Sequence, residues 1–439
     1  MCFWYIENSK SFPFLSGLAK ASMALPVRHL PVLQNWDCQG CSNCCREYQI
    51  TVSAEERQRL DAQGWENDEA IGGLPLFVRS GPLWKRRYRL NQRKDGACVF
   101  LSPEGRCRIH ERHGPAAKPL ACRLYPFMLV PAGDHWRVGL RFACPAAAAN
   151  EGRPLDDFHG ELVGYTELVE RQHGRPAEAV PPPSLQRNQH VEWSDLRRFV
   201  RAFETLIQNR QEPFEYRMRK CLALVKLCRQ ARFDQVKGNR LNEFLNLVMD
   251  SLPDEVPADP AALPRPTWVG RILFRQALAL YPRKDHGPHR RLVRSRLGLI
   301  ASAWRFARGV GSVPRLHAWL PETTFERGEL PQGPLPPEAD LILERYYTVK
   351  ISSLQFCGAS YFAFPFWDGF EALALTLPVI LWLVRVLGGP PAEAVVRAIN
   401  MVDRNYGFNR ILGLRRQRFA LRLLSRRGDL ERLIAWYGR

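Results

Sequence analysis

The sequence predicts a mainly α-helical protein, in which a larger helical body carries a small, irregular, cysteine-rich N-terminal module with short strands. Three observations lead there. Eight of the twelve cysteines fall between Cys38 and Cys144, in a stretch rich in turn residues and poor in helical periodicity. From Ser184 onward, apolar residues recur at three- and four-residue intervals. Proline-rich breaks then divide that remainder into helix-sized pieces, with no internal repeat.

Residues 1–29 read as an N-terminal extension. Met1-Cys2-Phe3-Trp4-Tyr5 has no basic flank and no uninterrupted apolar run after it, so a secretory signal is not expected and the cytoplasm is the expected compartment. Met23 is an alternative initiator. Residues 30–150 hold the cysteine module, and 151–184 read as a linker ending in Pro181-Pro182-Pro183. Residues 185–439 form the helical domain. Trp193, Leu196, Phe199, Val200, Phe203, Leu206 and Ile207 share one helix face, and Phe214, Met218, Cys221, Leu222, Val225 and Cys228 share the next. Leu241, Phe244, Leu245 and Val248 mark a third helix. Further helices are predicted over 268–281, 289–308, 338–350, 370–387, 392–404, 410–425 and 429–437.

The chain has 439 residues, 46% hydrophobic and 11% aromatic, which supplies enough apolar surface for a large core and excludes disorder. Its net charge of +19 suits acidic partners. No compact Lys/Arg run with interleaved aromatics occurs, so nucleic acid is weakly supported and a solvated basic surface is the favoured reading. The longest apolar run, Ala372 to Val384, is interrupted by Thr376 and Pro378 and falls short of the roughly 18–20 residues that cross a bilayer. It predicts a buried helix and no membrane span.

The cysteines carry the chemistry. In Cys38-Gln-Gly-Cys41-Ser-Asn-Cys44-Cys45, a Cys-x-x-Cys turn lets two thiolates converge on one metal, and Cys44 can join them. Gly40 and Asn43 tolerate the left-handed backbone that so tight a loop needs. Cys45 is open: a second metal, a redox thiol or packing would each suit it. Asp95-Gly96-Ala97-Cys98-Val99-Phe100-Leu101, the turn at Pro103-Glu104-Gly105, and Cys107 read as a short hairpin presenting Cys98 and Cys107 together. Cys122 follows in Pro119-Leu120-Ala121-Cys122-Arg123-Leu124-Tyr125-Pro126-Phe127. Cys144 precedes Pro145, a step that recurs among iron–sulfur ligands. In a reducing compartment clustered cysteines bind metal or do redox work. The expected ligands are therefore Cys38, Cys41, Cys44, Cys45, Cys98, Cys107, Cys122 and Cys144, stapling the module. They would form two four-thiolate sites, or one with thiols to spare. Iron–sulfur is the first expectation and zinc the second, since both accept four thiolates.

These blocks resemble the zinc- or iron-chelating CxxCxxCC family. The likeness rests on Cys38, Cys41, Cys44 and Cys45, then Gly96-x-Cys98-x-Phe100-Leu101, then Gly105-Arg106-Cys107-Arg108-Ile109-His110, then Cys122-Arg123-Leu124-Tyr125-Pro126-Phe127, over roughly residues 35–145. His110 stands where the family has Tyr, and Lys118-Pro119 where it has Arg-Pro, so the role of the family's Arg is not carried over. Within that family, long forms with a helical extension are similar to flagellin lysine-N-methylases. The resemblance implies methyl transfer from S-adenosylmethionine to flagellin or another protein. Glu344-Arg345-Tyr346-Tyr347 and the apolar helix after Asp368 are similar to those enzymes, without a catalytic motif.

Other residues read more plainly. Gly309-Val310-Gly311 closes a helix rather than cradling a cofactor, so no Rossmann-type site is expected. Cys221 and Cys228 lie about 10 Å apart along one helix and read as core, as does Cys357. His110 and His113 lie inside the cluster region and could ligate metal, but loop histidines are usually solvated. Arg123 suits a cluster sulfur or a surface ion pair. Asp368 and Glu371 would complement a helix dipole. Arg410, Arg415, Arg416, Arg418, Arg422, Arg426 and Arg427 read as a solvated face. Two functions follow: a metal-cluster methyltransferase, or a non-enzymatic metal-stabilised protein-interaction module.

Overall fold

The structure, a computed structural model, describes residues 25–65, 68–81, 87–173, 180–283, 296–315 and 317–439. The N-terminal extension through Ser22 lies outside the described residues, as does the first part of the helix expected over 289–308.

The N-terminal third contains only short strands, in three small sheets. β1 (Val27–His29) runs parallel to β7 (Trp136–Leu140), which forms a hairpin with β6 (Phe127–Pro131). β2 (Asn35–Trp36) pairs with β8 (Arg153–Pro154). β3 (Thr51–Val52), β5 (Arg87–Leu90) and β4 (Phe77–Ser80) make the third sheet. Between the strands sit α1 (Asn43–Glu47), α2 (Ala54–Asp61), α3 (Arg108–His113), α4 (Leu120–Leu124) and α5 (Pro145–Ala149).

The helical body follows. The stretch read as a linker contains β8 and a fifteen-residue helix, α6 (His159–His173). After it come α7 (Trp193–Ile207), α8 (Phe214–Cys228), α9 (Asn239–Glu255), α10 (Trp268–Leu280) and α11 (Arg296–Arg308). The chain continues through α12 (Phe325–Glu329), α13 (Pro337–Ser352), α14 (Phe366–Ala374), α15 (Thr376–Leu387), α16 (Pro391–Asp403), α17 (Arg415–Arg426) and α18 (Asp429–Gly438). The protein is mainly α, as its periodicity predicts. Proline at the first helical turn starts α13 and α16, where a missing N–H costs nothing. Thr267 caps α10 by accepting the Gly270 N–H. Gly309, at φ +63°, ends α11 and donates to the Arg305 carbonyl, which is the turn that the glycines predict.

The apolar run is longer than its sequence reading. Phe366–Leu387 spans 22 residues with a mean hydropathy of 2.0, enough by length and composition to cross a membrane, and 94% of its apolar window is buried inside the protein.

Two cores form. A small one gathers Leu60, Trp65, Ile71, Leu90, Val99, Phe100 and Ile109 beneath the third sheet, with Trp65 edge-on to Phe100 at 5.2 Å. The large core is continuous from Val27 through β6, β7, Phe142, Cys144 and α5 into the helices as far as Tyr437. Cys221, Cys228 and Cys357 are buried within it, as core cysteines should be. Asp368 and Glu371 do more than complement a dipole. Both are buried, and Arg229 Nη2 reaches both carboxylates, at 2.9 and 2.8 Å, while Arg422 reaches Asp368 at 2.6 Å. Arg422 keeps about half of its side chain exposed, as a solvated face predicts, while its guanidinium reaches in to the buried Asp368.

Candidate metal centre

α1 places Cys44 and Cys45 in a single turn. Gly40 and Ser42 take the left-handed backbone of the loop before it, at φ +63° and +56°. The second left-handed position is therefore Ser42, not Asn43, which is already helical. Neighbouring helical side chains need not diverge far within one turn: the Cys44 and Cys45 sulfurs are 3.9 Å apart.

The hairpin forms as its turn residues predict. Leu101 bridges to Cys107, Ser102 N–H donates to the Arg106 carbonyl, and Gly105 N–H donates to Ser102. Gly105 packs on the loop below: a Cβ there would lie 3.7 Å from the Gly40 oxygen. Cys98 N–H donates to the Cys45 carbonyl at 2.8 Å, which ties the hairpin to α1. Arg93 grips the Cys98 and Leu101 carbonyls.

Cys122 arrives on α4, whose position depends on another helix's cap. Ser53 and Glu56 form a capping box at the start of α2, and the other Glu56 oxygen accepts the Leu120 N–H at 2.6 Å. One carboxylate therefore holds both helix starts.

Cys44, Cys45, Cys98, Cys107 and Cys122 all line one cavity of about 80 Å³. Ile50, Leu90, Phe100, Ile109 and Tyr125 supply its apolar wall, with Lys118 and Arg141 among the polar groups. Cys38 and Cys41 are exposed on the approach loop, and Cys144 is buried at the N-terminus of α5. These three do not line the cavity, but Cys44 joins the two groups. The charges of Cys38 and Cys44 both act on Cys41, and those of Cys41 and Cys44 act on Cys144.

Burial and neighbouring sulfurs raise the pKa of Cys41, Cys44, Cys98, Cys122 and Cys144. Burial pushes Cys98 up to about 12 and Cys144 to about 11. The hydrogen bond with Cys45, then burial, raises Cys44 well above the usual thiol range. Burial and the neighbouring Cys98 do the same for Cys122. Lys118 opposes this at both Cys44 and Cys122. At Cys144 the Ala147 N–H and the Trp36 indole favour the thiolate. Crowded, buried thiols gain most from a cation that replaces their protons.

The donor set suits such a cation. A tetrahedral metal with ~2.3 Å bonds to sulfur sets its ligands about 3.8 Å apart, close to the Cys44–Cys45 separation. Among the described residues no three His, Cys, Asp or Glu side chains yet close on one point. A cysteine sulfur swings about 3 Å between staggered rotamers, so the separations of the thiols that line the cavity depend on their rotamers as well as on the backbone.

The remaining expectations sort cleanly. His110 and His113 are exposed, and neither lines the cavity. His113 packs edge-on against Trp65 at 5.5 Å. Arg123 lies over the Tyr165 ring at 5.1 Å. The segment Glu344-Arg345-Tyr346-Tyr347 is wholly buried. Glu344 accepts from Arg210 and Arg217, Arg345 donates to the Ala147 and Ala148 carbonyls, Tyr346 bonds Asp403, and Tyr347 bonds Thr376. Sequence reasoning missed Lys118 and Arg141. Lys118 had a signal, since it stands two residues before the Cys122 helix.

Residues 37–146 match the family model CxxCxxCC, described as a putative zinc- or iron-chelating domain. The match covers the loop, the hairpin, α4 and Cys144, and leaves the helical body outside. No curated protein and no solved structure matches the chain significantly.

Proposed function

We propose that the protein binds a thiolate-held metal centre, iron–sulfur before zinc, at the cavity described above. Cys44, Cys45, Cys98, Cys107 and Cys122 would supply its ligands, with Cys38, Cys41 and Cys144 as the adjoining group around Cys44. The observation that carries this is the meeting of five thiols, from three separated stretches of chain, on one small cavity. Five thiols exceed the four that a single zinc or a single iron–sulfur cluster takes, and so leave a thiol to spare. When bound, the centre supplies folding energy and, if iron, a redox-active group.

Anaerobic purification tests the reading. A brown protein with broad visible absorbance and stoichiometric iron supports iron–sulfur, and a colourless protein with stoichiometric zinc supports the second metal. A chain carrying neither, after loading with each under reducing conditions, overturns the proposal.

Methyl transfer from S-adenosylmethionine to lysines of flagellin or another protein, in the cytoplasm, is the finer reading. Its support is the resemblance in the cysteine blocks and the long helical extension. Incubating the metal-loaded chain anaerobically with labelled S-adenosylmethionine and flagellin tests it. No transferred label leaves the metal-stabilised interaction module as the function.

A further inference from the structure

We infer that the C-terminal end of α16 is a positioning clamp for the thiol site, with Asp403 and Arg404 fixing the Cys144 and Cys44–Cys45 segments against each other. The inference rests on the metal reading and adds to it residues far outside the family-matched segment.

Two consecutive residues grip two distant pieces of chain. Asp403, 0% exposed, accepts the N–H groups of Phe142 and Ala143 at 2.7 and 3.2 Å, and Cys144 follows directly. One turn earlier, Asn400 donates to the Phe142 carbonyl at 3.0 Å. Arg404 forms an ion pair with Glu47, two residues beyond Cys45 at the end of α1. Asn400 Oδ1 accepts from Arg404 Nη2 at 3.0 Å and so aims the guanidinium. The Arg404 carbonyl accepts from Arg141, one of the cavity-lining cations.

The clamp is itself held. Asp403 takes Lys350 at 2.7 Å and Tyr346 at 3.3 Å, so its carboxylate cannot swing away from the 142–143 backbone. A buried carboxylate spent on main-chain N–H groups, and an arginine spent on a glutamate beside a thiol pair, are outer partners of the sort that orient metal ligands. Within the family-matched stretch, the Cys98 N–H already holds the Cys45 carbonyl and Asp95 pairs with Arg46; the helical body adds the Asp403 and Arg404 contacts, which tie the Cys144 segment to the same helix turn.

The test uses the full chain. Zinc affinity is measured by chelator competition at fixed pH for wild type, Arg404→Ala, Arg404→Lys and Asp403→Asn, with far-UV circular dichroism as a check on helicity. Arg404→Ala and Asp403→Asn should each weaken binding about 10- to 100-fold at unchanged helicity. Arg404→Lys, which keeps the charge, should recover part of the loss. Wild-type affinity in both weakened variants overturns the clamp. A second measurement works on the metal-free chain: maleimide labelling read by mass spectrometry. Asp403→Asn should speed modification of Cys144 and leave Cys221 as slow as in wild type. Equal acceleration at both cysteines marks general unfolding and also overturns the clamp. A wild-type chain that takes up no metal counts against the metal reading alone, and the labelling rates then decide the clamp.

Discussion

Lys350 Nζ stands 2.7 Å from Asp403 Oδ1, with 2% and 0% of the two side chains exposed. The ammonium also donates to the Leu140 carbonyl at 3.1 Å and to Gln355 at 2.7 Å. Phe142, Tyr346 and Tyr406 surround it, each ring centroid within 5.7 Å. Burial lowers the lysine's pKa and Asp403 opposes that. Such a pair gains little over an apolar substitute of the same shape, but half of it is costly to leave behind.

Lys350→Met should therefore destabilise the protein by about 3–5 kcal/mol, because Asp403 is left charged and partly unpaired. Urea unfolding of the variant measures this. Adding Asp403→Asn should recover part of the loss, since no buried charge then lacks its partner. A single-variant loss under ~1 kcal/mol would contradict the argument.

Glu371 should make stability depend on pH. Burial raises its folded pKa to about 7 from 4.5, outweighing the attraction of Arg229. A raised carboxyl contributes stability that is fully present below the unfolded pKa and is lost as pH rises through the folded one. The window is thus about pH 4.5 to 7, and the loss about 3 kcal/mol, at ~1.4 kcal/mol per unit. Thermal melts of Glu371→Gln across that window should show a flatter slope than wild type. Parallel slopes would sink the assignment.

Gly369→Ala should cost about 1–3 kcal/mol or more, as overpacking does. A Cβ at this position of α14 runs into the Phe356 carbonyl oxygen, a backbone atom that cannot rotate aside. Gly160→Ala, with nothing within 4 Å, is the matched control and should be near neutral or better. Equal melting temperatures for the two variants would argue against the close approach.

Cys98→Ser should lose metal and lower the melting temperature of the loaded protein, because binding energy at such a site is also folding energy. Cys221→Ser, buried on α8 away from the cavity, should keep full metal content. Loading should release protons and weaken as pH falls, since Cys98 and Cys144 hold their protons to about 12 and 11. Metal analysis and a pH-stat titration follow both effects. Unchanged metal content in Cys98→Ser, or uptake independent of pH, would refute this.

Much of the fold was legible because it is local. Apolar spacing located α7, α8, α10, α13 and α16 to within a few residues, and the glycine turn after α11 and the Cys98–Cys107 hairpin follow from backbone chemistry. Helix α6 was obscured by the polar residues and glycines among its apolar ones. The arrangement of the site was less legible. Spacing within Cys38–Cys45 shows which thiols are near in sequence, but long-range contacts bring in Cys122 and Cys144, among them the Glu56 cap, the Asp403 carboxylate and the bonds from Gln34, Asn35 and Asp37 to residues 147–151. Such contacts join residues that no local pattern relates. The ion pairs of Asp368 and Glu371 were not legible for the same reason: their partners come from the end of α8 and from α17.

The continuity of the large core has a practical side. β6 and β7 bury Phe127, Val130, Val138 and Leu140 in the core that they share with the helices. A fragment ending near residue 150 would turn that greasy surface toward water and toward other copies of itself, as strands without cover tend to do. Biochemistry on the chelating segment therefore calls for the whole polypeptide, and insolubility of a shortened version would say nothing about its affinity for metal.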